Sequence, residues 1–148
     1  MTGTKNLPER QREAAKLMKR ILLHMRTLMD EHLRPYGVTK AQIQLLYAIR
    51  AAPGNSGAHL SRLCDVTPQS MQTLLRRAEE SGWIVRSKDS VNDRILTASL
   101  TPAGEELLLM ADQVVKNIEA TLWKGVPAES VESLIALLEQ CLGNLPQN

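Results

Sequence analysis

Placed on a helix that starts after Thr67-Pro68, the side chains of Gln69, Ser70, Thr73 and Arg77 fall along one face. They are hydrogen-bonding groups of the kind that read base edges in a DNA major groove. Glutamine pairs bidentately with adenine, arginine with guanine, and serine or threonine with either, each good bidentate pair being worth about 1–3 kcal/mol of discrimination. Gln72 and Arg76 flank this face and are placed for phosphate oxygens, which fix register without carrying sequence information. Glu79 and Glu80 fall at the far end of the helix, away from the end that would enter a groove. A second reading of the same residues is the solvated face of an amphipathic helix whose apolar stripe is Met71, Leu74, Leu75 and Ala78. Residue types alone leave both readings open.

A second group lies a few residues on, where Lys88 and the stretch Asp89-Ser90-Val91-Asn92-Asp93-Arg94 form a polar turn between two strand-like runs. An arginine on a protruding hairpin can enter a narrow minor groove, where the negative potential is strongest. Arg94 can equally tie down the turn through Asp93 or Asp89, and the two roles are compatible.

The elements that must position these groups are legible in the hydrophobic period. From Pro8 to Leu33, Leu17, Ile21, Leu22, Met25, Leu28 and Met29 recur at three- and four-residue steps, which predicts an amphipathic helix broken by Arg34 to Gly37. Thr39 and Gln42 have capping-box spacing, so a second helix starts there and runs to about Ala52. A third, short helix is expected from Ala58 to Cys64. The fourth opens at Thr67-Pro68, where threonine caps free amides and proline suits the first turn, and ends at Gly82. Trp83–Lys88 and Ile95–Leu100 read as a hairpin, with Leu96, Ala98 and Leu100 alternating inward. Thr101-Pro102 repeats the helix start, and Gly125 to Pro127 divides a fifth helix from a sixth. The expected fold is therefore mainly α with a small β-hairpin: six helices in which a helix-turn-helix precedes a wing. The long apolar stripes of the terminal helices exceed what one small core can bury, which implies a homodimer formed by the N- and C-terminal helices.

Bulk properties narrow the function. The 148 residues suit one domain, and 43% hydrophobic with 23% charged residues is ordinary for a globular chain. No run approaches a membrane span, and the early basic residues precede no apolar signal region, so a cytoplasmic location is expected. The net charge of +2 is unevenly spread, with a basic excess in the first fifty residues and an acidic excess in the last forty-eight. Only local basic clusters are left to meet phosphate. The glycine-rich phosphate loop, the nucleophile elbow and the HExxH zinc motif are all missing, which argues against an enzyme. His24, His32 and His59 lack ligand spacing, so neither a metal nor a cofactor is expected. Cys64 and Cys141 read as free thiols.

The run HLSRLCDVTPQSMQTLLRRAEESGWIVRS, followed by NDRILTASLTPAGEELL, resembles the central segment of the MarR family of transcriptional regulators, and the preceding GVTKAQIQLLYAI extends the likeness. Its most specific parts are Val66-Thr67-Pro68, Gly82 and Leu100-Thr101-Pro102-Ala103-Gly104. The resemblance implies one MarR-like domain over 1–148, with a winged helix-turn-helix lobe at 37–100 and dimerisation helices at 8–34 and 101–148. It implies a sequence-specific regulator, a repressor that binds an imperfect palindrome of double-stranded DNA and places Arg94 in the minor groove. The family usually carries Asp two residues before that arginine; this chain has Asn92 there and Asp at 93. Where the family has an apolar core residue, this chain has Cys64. Many members are released from DNA by a small aromatic or phenolic acid bound between the dimer helices and the DNA-binding lobe. By that resemblance, Arg20, His24, Arg26, His32 and Tyr36 are candidates for the effector pocket. Two other functions stay open: a winged-helix module that binds protein, and a thiol-based redox-sensing regulator.

Overall fold

The computed structural model describes residues 6–146, and the chain divides into two compact units, Met1–Val115 and Lys116–Asn148.

In the first unit, α1 (Leu7–Leu33) opens on a reciprocal cap: Glu9 N donates to Asn6 Oδ1 at 3.0 Å, and Asn6 N donates to Glu9 Oε2 at 3.1 Å. Two of the orphan amides at the helix start are satisfied at once. The helix runs into a tight turn at Arg34–Tyr36 that Gly37 closes with φ +67°, a left-handed conformation open to glycine at little cost. Most of α1 is exposed, including Leu17, Met18, Ile21, Leu22 and Leu23, whereas Leu33 is buried.

The expected box at Thr39 and Gln42 is present in both directions, at 3.2 Å and 2.9 Å, and starts α2 (Lys40–Ala51). Gln42 is buried while Thr39 is exposed, so the cap lies at the edge of the core. Ile43, Leu45, Leu46 and Ile49 supply one wall of the core, each full burial worth about 1.5–3 kcal/mol relative to exposure. The third helix, α3 (Gly57–Leu63), begins one residue before the expected Ala58 because Ser56 caps the His59 amide at 3.2 Å. A turn through Cys64 and Asp65 leads to α4 (Pro68–Glu80), where Thr67 Oγ1 accepts from Ser70 N at 3.1 Å. Met71, Leu75 and Ala78 are buried, and Gly82 ends the segment with φ +77°.

The strands β1 (Ile84–Lys88) and β2 (Leu96–Leu100) pair antiparallel, from Ile84 opposite Leu100 to Lys88 opposite Leu96. The expected inward alternation holds for Ala98 and, in part, Leu100. Leu96 departs from it at 45% exposed, because it pairs with Lys88 at the loop end of the ladder, away from Ala98 and the core.

The last helix of this unit, α5 (Pro102–Leu122), is locked to the start of the wing. Thr101 N donates to the Trp83 carbonyl at 3.0 Å, its hydroxyl donates to the Gly82 carbonyl at 2.6 Å and accepts from Gly104 N at 3.1 Å. Gly104 packs so closely that a Cβ there would lie 2.1 Å from the Trp83 carbonyl oxygen. Leu108 and Ala111 of α5 complete a core that also takes in Leu60 and Ile84.

The second unit holds the end of α5 and α6 (Ala128–Gly143), which follows Pro127 without a side-chain cap. Leu134, Ile135, Leu137, Leu138 and Leu142 of α6 are all exposed.

Candidate nucleic-acid interface

The buried stripe of α4 turns its polar face outward. Gln69, Ser70, Gln72, Arg76 and Arg77 are exposed, and Thr73 is half-buried. The start of the helix is chemically prepared: the Thr67 hydroxyl donates to Ser70 Oγ at 2.9 Å, which leaves the Ser70 hydroxyl hydrogen free to donate outward. The Thr73 hydroxyl points back to the Gln69 carbonyl at 3.4 Å. Arg76 lies 3.3 Å from Glu80 one turn on, a solvent-screened pair that an approaching phosphate can displace at small cost. Arg77 has no carboxylate within ion-pair distance among the described residues.

Asp65, in the turn before α4, has φ +51°, the positive-φ position among the described non-glycine residues. Val66 N then donates to the Ser61 carbonyl at 3.1 Å, so the turn is tied back to α3.

Hydrogen bonds from backbone amides, most of them to the side chains of Asp89 and Asn92, organise the wing. Asp89 Oδ2 accepts from the amides of Val91 and Asn92, both at 3.0 Å, and Arg94 N donates to Asn92 Oδ1 at 3.1 Å. Asp89 N donates to the Ile95 carbonyl at 2.8 Å, closing the loop. The turn is thus shaped without the Arg94 guanidinium, which is exposed and has no carboxylate within ion-pair distance among the described residues. Lys88 is exposed at the end of β1. One cation passed over in the sequence is Arg86, whose Nε is enclosed without a hydrogen-bond partner and whose guanidinium lies close to Gly57. Its signal was weak: one of two basic residues in a five-residue strand, the other being the exposed Lys88.

The five residues suggested for an effector pocket are not gathered in one place. Arg20, His24 and Arg26 are exposed along α1, and His32 is exposed with its Nδ1 donating to the Leu28 carbonyl of its own helix at 2.7 Å. Tyr36 lines a cavity of about 470 Å³ with Trp83, Ala103, Glu106, Leu107 and Met110. The α5 residues of this lining lie more than sixty positions beyond Tyr36, so no local signal groups them with it.

Among the described residues no group of three or more His, Cys, Asp and Glu is arranged to hold a metal, and no helix is long and apolar enough to cross a membrane. Cys64 is buried, and burial pushes its thiol pKa up, which disfavours the reactive thiolate. Cys141 is exposed.

A helix-turn-helix followed by a two-stranded wing defines a winged-helix DNA-binding protein. The comparisons agree: the model of the MarR family matches residues 36–95. The HTH-type transcriptional repressor Rv2887 of Mycobacterium tuberculosis is 32% identical over 124 residues, covering 84% of this chain and 89% of that protein. Among solved structures, YusO of Bacillus subtilis superposes with a TM-score of 0.81 at 17% identity, covering 95% of this chain and all of that one. A MarR variant from E. coli complexed with operator DNA gives 0.70 at 24% identity, covering 93% of this chain and 99% of that one. The chain belongs to the MarR family. It is a DNA-binding transcriptional regulator of the repressor type and not an enzyme.

Proposed function

We propose that the protein is a cytoplasmic homodimeric repressor that reads an imperfect palindrome and is released from it by a small aromatic effector. In this reading residues 37–100 form the DNA-binding lobe, and 8–34 with 101–148 supply the dimerisation helices. Gln69, Ser70, Thr73 and Arg77 read base edges; Gln72 and Arg76 hold phosphates; Arg94 and Lys88 on the wing engage the adjacent minor groove. The observation that carries it is the exposed, uncharged-to-basic face of α4, together with an exposed Arg94 that the turn does not use. The exposed apolar residues of α1 and α6 support the dimer, and the Tyr36–Trp83 cavity supports an effector.

Titration of the purified protein against operator-like duplex at increasing salt tests the DNA part. Each phosphate neutralised steepens the fall of log K with log salt by about 0.9. Affinity that drops steeply, from a species sedimenting near twice the 16.5 kDa chain mass, is the expected result. Salt-independent association, or a monomer, contradicts it.

A further inference from the structure

We propose that the cavity beside Tyr36 and Trp83 binds a small aromatic or hydrophobic organic cation, so that the effector of this repressor carries positive charge. The inference rests on the effector reading above and departs from the aromatic acid that the family resemblance implies.

The lining is the reason. Its volume of about 470 Å³ lies within the usual range for a small-molecule site. Two aromatic side chains, Tyr36 and Trp83, and the soft thioether of Met110 supply polarisable surface, with Leu107 as apolar floor. The charged group of the lining is Glu106, and no Lys, Arg or His joins it. A carboxylate ligand would meet Glu106 with no compensating cation. An organic cation gains twice, from the carboxylate and from the negative faces of the rings, the combination that recognises quaternary ammonium groups.

The walls are held in place before any ligand arrives. Tyr36 sits in the turn closed by Gly37 N donating to the Arg34 carbonyl at 3.1 Å, and the Trp83 backbone is pinned by Ala78 on one side and Thr101 on the other, both at 3.0 Å. Trp83 directly follows Gly82 and precedes β1, so it occupies the joint between the reading helix and the wing. A ligand that binds this joint more tightly in one arrangement than in the other shifts the DNA affinity by that difference.

The test uses the full-length chain carrying Trp123→Phe, which leaves Trp83 as the fluorescent reporter, since the chain has two tryptophans. Benzyltrimethylammonium and benzoate are titrated separately at matched ionic strength. The proposal expects a saturable change in Trp83 emission with the cation and at least about tenfold weaker response to benzoate. Glu106→Gln, an exposed substitution, should weaken the cation about tenfold and leave the unfolding midpoint unchanged. Equal or tighter benzoate binding overturns it, as does an unaltered cation affinity in Glu106→Gln. No Trp83 response to either probe, the result if a second copy of the chain fills the cavity, also overturns it. This titration contains no DNA, so a protein that fails to bind operator defeats the repressor reading without deciding this one.

Discussion

The Tyr47 hydroxyl donates to Asp112 Oδ1 at 2.9 Å across 65 positions of sequence, and Arg50 reaches the other oxygen of that carboxylate at 2.6 Å while lying 4.8 Å over the Tyr47 ring. One carboxylate of α5 therefore holds two side chains of α2, which presents the core wall beneath the helix-turn-helix. Tyr47→Phe should cost about 1 kcal/mol in urea unfolding, the value of one hydrogen bond. Burial first, then the hydrogen bond and charge of Asp112, raise the Tyr47 pKa from 10.0 to about 12, against the opposing pull of Arg50. Folding favours the neutral phenol, so this stabilisation is complete below pH 10 and is lost as pH rises through about 12. Ultraviolet difference titration of the Tyr36→Phe variant should show Tyr47 ionising near 12. Ionisation near 10 would mean the clasp is absent in solution.

Gly104→Ala should be the more damaging of two glycine replacements. The new methyl would lie 2.1 Å from the Trp83 carbonyl oxygen, a backbone atom that cannot swing aside, whereas nothing lies within 4 Å of the same position at Gly143. A loss of about 1–3 kcal/mol is expected for Gly104→Ala. Gly143→Ala should be neutral or stabilising by up to about 1 kcal/mol. Comparable unfolding midpoints for the two variants would refute the packing argument.

Much of this fold could be read directly because its signals are local. Thr39 with Gln42 and Thr67 with Pro68 announce helix starts within a few residues, and both caps form as expected. The contacts that join the elements are not of that kind. Nothing near Gly104 in sequence reveals that Trp83 presses on it, and the Asp112 partners lie more than sixty residues upstream. Alternation alone placed Leu96 inward, because the pattern does not say where along the hairpin the core ends. In the candidate site, the polar face of α4 was legible from helical spacing. The role of Asn92 as acceptor for the Arg94 amide was not, since it depends on the path of the turn.

Asp65 pairs a positive φ of 51° with a side chain that tolerates it better than most. Asp65→Val should destabilise by about 1–2 kcal/mol, because a β-branched residue resists the left-handed region. Asp65→Gly should stay within about 1 kcal/mol of the parent. If thermal unfolding places valine and glycine together, the strain is not present.

The wing separates two kinds of loss. Asp89→Ala removes the acceptor of two backbone amides and should loosen the turn, lowering both stability and DNA affinity. Arg94→Ala removes a side chain that the turn does not use. Its expected signature is weaker binding to most sequences, a diminished preference for A·T-rich flanks, and an unchanged unfolding midpoint. Matched losses of stability in the two variants would assign Arg94 to the turn.

Whether α4 of a two-fold dimer reads base edges is decided by selection of bound sequences from random duplex DNA with the purified protein and with Arg77→Ala. Base reading by α4 requires enrichment of an imperfect inverted repeat whose half-sites lie about one helical turn, roughly 34–36 Å, apart. The variant should relax one position in each half-site, at a cost of about 1–3 kcal/mol. Enriched sequences without two-fold symmetry, or a preference profile identical in the two proteins, would contradict it.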